Sequence, residues 1–381
     1  MKYCITCLFP NTKPGLNFDK NGICDACRNS KQRDKIDWKK RIKELKSVLS
    51  RYKNKHEKYD CIIPVSGGKD SHYQTHIIKN EFKLNPLLVV FRPKDLTELG
   101  RKNIENIKKF GVDCIEFSAN PSIYKKLAKF GFSELGDCAW PEHIGIFTVP
   151  VQIAVSFKIP LIIWGENPQF EYGGSIEASS RPFLDKEWTE KHGGYFLDKI
   201  KPEDMTKHGL QKQDLSPYIY PSDKEIQKSN ITGVFLGHYI RWDARKQVEV
   251  VKQYGFSVLP KNEHSEGTYT NYENLDTKYV AMHDYFKFLK YGFGRATDHA
   301  SIDIRNNRIS REEGLRLVKK HEGNIPTKYL KSFLLDFELS QSEFISICDK
   351  FTDKQLFQTD ENGNLIRDSK NNIKKLFHDN I

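Results

Sequence analysis

Four cysteines open the chain as two Cys-x2-Cys pairs, Cys4 and Cys7, then Cys24 and Cys27, with sixteen residues between the pairs. Each pair makes a tight knuckle that points two thiolates at one ion. Four thiolates close a tetrahedral zinc site with no open position, so the spacing predicts a structural zinc rather than a catalytic one. An iron–sulfur cluster is the alternative occupant of the same ligands. The run Asp19 to Gly22, Asp-Lys-Asn-Gly, makes the turn before the second knuckle.

A second chemical signal lies at Ile62 to Ser71, "IIPVSGGKDS". Apolar residues lead into Ser66, Gly67, Gly68, Lys69, Asp70 and Ser71, and a helix is expected from Ser71. Glycines let backbone N–H groups approach phosphate oxygens closely, and a helix N-terminus adds a positive end. Ser66 and Ser71 supply hydroxyls and Lys69 a cation. Asp70 repels phosphate, so it is assigned to Mg²⁺ or a water on that ion. The spacing is not the Gly-x4-Gly-Lys-Ser/Thr of a Walker loop.

Three further stretches collect polar groups. "LIIWGENPQF" brings Glu166 and Asn167 to the end of a predicted strand, where parallel sheets bind ligands. "FLGHYIRWDARK" presents His238, Arg241 and Asp243 in the same way. "YGFGRATDHASIDIRN" crowds Arg295, Asp298, His299, Asp303 and Arg305 before a helix. Arginine pairs with carboxylate or phosphate, and an Asp–His pair can move protons or bind hydroxyls. Each stretch also has a structural reading, as a polar loop or an ion-pair network.

The elements that position these groups are legible as an alternation. "YDCIIPVS", "PLLVVF", "VDCIEFSA", "IPLIIWGEN" and "ITGVFLGHYI" read as buried strands. Helices are expected at "HYQTHIIKN", "LGRKNIENIKKFG" and Ile144–Phe157. Continuous apolar strands alternating with helices predict an α/β fold with a parallel, Rossmann-like sheet covered on both faces. The expected organisation is a zinc ribbon at 1–30, a basic linker helix at 31–58, a nucleotide domain at 59–250 and a mostly helical region at 251–381. An irregular insertion interrupts the nucleotide domain at about 176–230. Within the last region Ser310 reads as a helix cap and Gly323 as a stop, while "TDENGNLI" suggests a hairpin.

Net charge is +11, with thirteen Lys and Arg against four Asp and Glu between Arg28 and Tyr59. The excess is thus confined to one amphipathic segment, with Trp38, Ile42, Leu45, Leu49 and Tyr52 at helical spacing. A nucleic-acid binder usually spreads its positive charge over a broad face, so this distribution argues against nucleic acid. The most apolar stretch, Ile144–Phe157, is too short to span a bilayer, and no apolar leader follows the start. A cytoplasmic protein without membrane contact is expected.

"SGGKDS" after a strand resembles the PP-loop of the ATP pyrophosphatase superfamily, built on the adenine-nucleotide α-hydrolase fold. Its members cleave ATP between the α- and β-phosphates and adenylate a carbonyl oxygen. "CITCLFPNTKPGLNFDKNGICDAC", "PVSGGKDS", "TELGRKNIENIKKFGVD", "IPLIIWGEN", "GFGRATDHASIDIRN" and "ISREEGLRLV", in that order, resemble the N-acetyl sugar amidotransferases. These convert an acetamido group on a bacterial sugar to an acetamidino group, on O-antigen, other lipopolysaccharide or flagellin glycans. The resemblance implies ATP, Mg²⁺ and a nucleotide-activated sugar. It implies Lys69, Asp70, Glu166, Asp298 and His299 in catalysis, and Asn167, His238 and Arg295 against substrate. Ammonia is expected from a separate glutaminase subunit. Cys138 with nearby His143 lacks the setting of a glutaminase nucleophile. The rival reading is a tRNA sulfurtransferase, which also joins a PP-loop to zinc modules. A zinc-dependent nucleotide-binding scaffold is a third, and leaves the Arg295–Arg305 crowd without a purpose.

Overall fold

The computed structural model describes residues 1–55, 58–174, 176–192 and 200–376. Among the described residues six strands form one sheet: β1 (Cys61–Pro64), β2 (Pro86–Phe91), β3 (Asp113–Phe117), β4 (Leu161–Trp164), β5 (Phe183–Leu184) and β6 (Thr232–Phe235). The order is β3-β2-β1-β4-β6-β5, and every pairing is parallel except β5 on β6. β5 was not anticipated. It lies in the expected insertion, of which 193–199 falls outside the described residues. The run "ITGVFLGHYI" is strand only to Phe235; Leu236–Tyr239 turns helical.

Alternation along the strands divides the core. Cys61, Ile63, Leu88 and Val90 face one side, while Ile62, Leu87, Val89 and Phe91 face the other, and all are buried. At about 1.5–3 kcal/mol for each large apolar side chain removed from water, these strands are held by both layers. The first face is covered by α2 (Trp38–Ser50) through Leu45 and Leu49, and by α4 (Glu98–Lys108) through Ile104 and Ile107. The second is covered by α5 (Pro121–Phe130), α6 (Trp140–Phe157) and the helices of the C-terminal region. α6 lies so close to β2 that a Cβ on Gly145 would fall 2.4 Å from the Phe91 ring.

The single basic helix expected across 31–58 is instead two helices. α1 (Asp25–Arg33) continues the cysteine module, and α2 starts after Asp37, whose side chain accepts the Lys40 N–H at 3.0 Å. α2 is not a free linker, because its apolar stripe closes one layer of the sheet core. Its basic residues form the outer face, as the helical spacing required.

From Val280 the chain is mostly helical, with helices at Val280–Tyr291, Arg295–Arg305, Arg311–His321, Leu330–Phe337 and Gln341–Phe351, whereas 253–279 forms none. Ser310 Oγ accepts the Glu313 N–H at 3.1 Å, as the capping pattern predicts. Thr359 and Leu365 pair antiparallel across the Asn-Gly turn. Among the described residues no helix is long and apolar enough to cross a membrane.

Candidate active site

β1 and β4 are neighbours in the sheet, while the chain leaves β1 toward β2 on one side and enters β4 on the other. This is the topological switch point, where open α/β sheets bind ligands beyond the strand ends. The Ser-Gly-Gly turn follows β1, and Glu166 follows β4. Gly67 has φ +88°, and a Cβ there would lie 2.8 Å from Ile104 Cγ1. Only glycine satisfies both constraints. The helix α3 (Lys69–His76) begins two residues earlier than expected, with Gly68 as its cap. Ser71 Oγ accepts the Ser66 N–H at 2.9 Å, and Ser66 Oγ accepts the Gly68 N–H at 3.3 Å, so the serines shape the turn.

Lys69 is buried, with Nζ 2.7 Å from Asp70 Oδ2 and 2.7 Å from Glu273 Oε1. Glu273 also accepts from Arg295 Nη2 at 3.1 Å, and the Arg295 guanidinium lies over the Tyr172 ring at 5.8 Å. Burial acts to raise the Glu273 carboxyl. The Lys69 and Arg295 cations outweigh it and hold Glu273 well below the usual carboxylate range. Burial, seconded by the Asp70 charge, pushes the Glu166 carboxyl up to about 7. Two nearby carboxyl groups are thus driven in opposite directions, the pattern by which one site holds both an acid and a base.

Two cavities meet here. The first is polar. Lys69, Asp70 and Glu166 line it from the sheet side, Glu171 and Tyr172 from α7 (Pro168–Tyr172), and Tyr272, Glu273, His299, Asp303 and Arg308 from the C-terminal region. The second, of about 210 Å³, is walled by Phe91, Phe147, Trp164, Trp188 and Phe235, with Ser66 and Ser71 at its edge. Glu166 lines both cavities.

The residues singled out in the sequence divide accordingly. Ser66, Lys69, Asp70, Ser71, Glu166 and His299 come together around the two cavities. His299 Nδ1 shares a hydrogen bond with Thr268 Oγ1 at 2.7 Å. Its Nε2 is buried without a partner among the described residues, and burial, with Arg295 nearby, lowers the ring to about 4. A neutral imidazole with one bare nitrogen therefore faces the polar cavity. Asp70 Oδ1 is likewise buried without a partner.

Three others are turned elsewhere. Asn167 caps α7 by accepting the Gln169 N–H at 3.0 Å and donates to the Ala178 carbonyl at 2.7 Å, so its amide organises the loop instead of meeting substrate. His238 packs on α2 against Arg41, away from both cavities, because the strand ends three residues before it. Asp298 pairs with Lys287 at 2.5 Å. Arg295 stands behind the polar wall as the partner of Glu273. Glu273, Tyr272, Tyr172 and Arg308 were not singled out in the sequence. "TYTNYENLD" has no periodicity or motif spacing, and only the fold brings Glu273 to Lys69.

The cysteine module is built against this site. The four Sγ atoms are buried within 4.8 Å of one another, with Cys4–Cys27 at 3.8 Å and Cys7–Cys24 at 3.7 Å. With Zn–S bonds of about 2.3 Å, two thiolates of a tetrahedral zinc lie about 3.8 Å apart, so the cluster fits a structural zinc. Leu8 N–H donates to Ser301 Oγ at 3.3 Å, and Arg311 Nε donates to the Cys7 carbonyl at 3.2 Å. Arg33, in α1, pairs with Glu171 at 3.2 Å and donates to Asn306 at 3.1 Å. The module thus buttresses α7, which carries Tyr172 and Glu171 into the polar cavity.

The elevated Glu166 carboxyl has a measurable consequence. The folded protein keeps a proton there that the unfolded chain releases at lower pH, so stability falls as pH rises from about 4.5 through about 7. Glu166→Gln removes that dependence. Its melting temperature relative to wild type should climb between about pH 5 and about pH 8. A difference that stays flat across this interval would mean that Glu166 titrates normally.

The strand order, the Ser-Gly-Gly turn after β1 and the covered parallel sheet define an adenine-nucleotide α-hydrolase-like α/β protein with an added cysteine module and a helical C-terminal region. Residues 266–372 match the C-terminal domain of the WbpG-like LPS biosynthesis proteins. This match supports the family that the motifs resemble, the N-acetyl sugar amidotransferases. Residues 272, 273, 299, 303 and 308 of the polar wall all lie inside the matched region. The chain is 33% identical over 139 residues to a Methanocaldococcus jannaschii protein described as uncharacterized, covering 36% of this chain. The matched stretch spans about half the length of that relative, 50%. Among solved structures, NMN synthetase from Francisella tularensis aligns over 60% of this chain and 100% of its own, at 12% identity and a TM-score of 0.28. A likeness at that level carries no argument about chemistry.

Proposed function

We propose that the protein is an ATP-dependent, sugar-modifying enzyme, and specifically an amidotransferase acting on a nucleotide-activated N-acetyl sugar. The observation that carries this reading is Glu166 on the shared wall of two unlike cavities. The aromatic cavity, with Ser66 and Ser71 at its edge, suits a purine stacked on side chains. The polar cavity, half built by the WbpG-like domain, suits a hydroxyl-rich sugar. The two ligands would meet at Lys69, Asp70 and Glu166.

In this reading the acetamido oxygen attacks the α-phosphorus of ATP and pyrophosphate departs into the Ser66–Ser71 turn. Ammonia then adds to the imidate carbon, and AMP leaves with the former amide oxygen. An acetamidino sugar remains. Lys69 neutralises the departing pyrophosphate once phosphate competes with Asp70 and Glu273 for it. Asp70, with a bare buried oxygen, suits Mg²⁺, which supplies further charge neutralisation. Glu166, poised near neutrality, accepts the proton that ammonia loses on addition. His299 Nε2 and Arg308 hold sugar hydroxyls or phosphate. The protein's contribution is positioning and charge stabilisation.

Cys138 does not offer a route to ammonia within this chain. Burial pushes its thiol up, and His143 is engaged with Asp137. A separate glutaminase remains the proposed source, with the exposed basic face of α2 as one docking surface. Incubation with ATP, ammonium and a panel of UDP- and CMP-activated acetamido sugars should give AMP, pyrophosphate and a sugar lighter by exchange of O for NH. Production of ADP and phosphate would mean that the turn transfers a γ-phosphoryl group and the reading fails. Glutamine should support turnover only when a glutaminase is added.

A further inference from the structure

Asp137, His143 and His283 converge at the N-terminal end of α6, and the reaction above makes no use of them. Asp137 precedes α6, His143 lies in its first turn, and His283 lies in the first turn of Val280–Tyr291. His283 Nδ1 is 2.8 Å from Asp137 Oδ1, and His143 Nδ1 is 3.3 Å from Asp137 Oδ2. The two rings are 4.8 Å apart between centroids at 78°. One donor atom from each residue lies within 4.8 Å of the other two. Bonds of about 2.0–2.1 Å to N and O place two ligands of one tetrahedral ion about 3.3–3.4 Å apart. The His143–Asp137 separation already has that value, while His283, at hydrogen-bond distance from Asp137, would withdraw by about half an ångström to join the shell.

The surroundings suit a resident ion as well. The Ala139 N–H donates to Asp137 Oδ1 at 2.9 Å and fixes the carboxylate. The histidine side chains are 34% and 28% exposed, against 10% for Asp137. The cluster is therefore anchored on its protein side and open to water on the other. Two imidazoles and a carboxylate form a borderline donor set, unlike the soft thiolates of the cysteine module.

We propose that Asp137, His143 and His283 bind a divalent transition-metal ion of the zinc class, with water completing the shell. The ion clamps the helix Val280–Tyr291, and with it the sugar-side region, onto α6. It is independent of the four-cysteine site and of the reaction assigned to the protein.

The test is metal counting on the full chain after equilibration with buffered Zn²⁺. Wild type should hold two ions, and His143→Ala and His283→Asn one each, with the four N-terminal thiols still protected from alkylation. Melting temperature should rise on addition of the second equivalent in wild type and stay put in both variants. Co²⁺-loaded wild type should show weak d–d absorption beyond that of its thiolate site, and the variants should lose only that component. One ion in wild type, or two ions in both variants, would leave the three residues as an ion-pair cluster and overturn the proposal.

Discussion

Asp70→Asn is expected to lower pyrophosphate release by a factor on the order of 10²–10³ while leaving the melting temperature close to that of wild type, as for loss of one preorganised charge. The substitution is isosteric, keeps an oxygen near Lys69 Nζ, and leaves the Lys69–Glu273 pair in place. What it removes is the negative charge whose second oxygen, Oδ1, has no partner among the described residues. Lys69→Ala should lose at least as much turnover, and here stability falls too. Asp70 and Glu273 would then face one another without their shared cation, and truncating one member of a buried pair costs about 3–5 kcal/mol. Glu273→Gln separates the two effects, because it retains the cation and removes only one of its carboxylates. Steady-state pyrophosphate release at saturating ATP, with near-ultraviolet circular dichroism for the fold, is the measurement. Turnover within about threefold of wild type in Asp70→Asn would show that this carboxylate does not serve the reaction.

The second large effect concerns the cysteine module. Cys24→Ser should release the zinc, since binding and folding of such modules are one equilibrium. The loss should reach the active site, because Arg33 is held by the module and itself holds Glu171. Without Arg33, Glu171 would stay buried with Arg305, whose Nη2 donates to the Glu171 carbonyl at 2.8 Å, as its remaining cation. Because Arg305 still compensates part of the charge, the cost is expected to fall below about 3–5 kcal/mol, the figure for a fully unpaired buried partner. Arg33→Ala should reproduce the loss of turnover with the zinc retained, which separates docking from metal binding. Fresh protein without zinc and with four freely reactive thiols would refute the zinc assignment. Full turnover in Arg33→Ala would refute the mechanical link to α7.

What the sequence disclosed followed from local chemistry. Two Cys-x2-Cys pairs at short spacing bring four thiols to one point, as the buried cluster bears out, and a Ser-Gly-Gly turn between strand and helix needs no distant partner to be recognised. The alternation of Cys61, Ile62 and Ile63 between two buried layers was implicit in an unbroken apolar run. Long-range partners were hidden. Glu273 is 204 positions from Lys69, and nothing near it marks it as a phosphate-site residue. Asn167 and His238 misled for the opposite reason. Each sits just after a strand, the right place for a ligand contact, but Asn167 is taken by the N-terminus of α7 and His238 by an unforeseen helical turn. Asp298 and His299 are adjacent, yet the helix points one at Lys287 and the other into the cavity. A hundred degrees of rotation per residue decides such a case, and the helix phase becomes known only once its neighbours are placed.

The docking of the cysteine module on Ser301 and Arg311 also bears on how the chain is made. Residues 1–33 leave the ribosome well before residues 295–311, and the four thiolates can close on zinc at once. Their docking surface is still about 270 residues away in the message, between Arg295 and Arg311. At roughly 5–20 residues per second, the module waits on the order of fifteen seconds to a minute. During that interval Leu8, which ends packed on Ala296, Ala300 and Ile304, is bare to solvent. The nascent protein is thus open to misassociation through Leu8 during synthesis, at the module that later lies against its candidate active site.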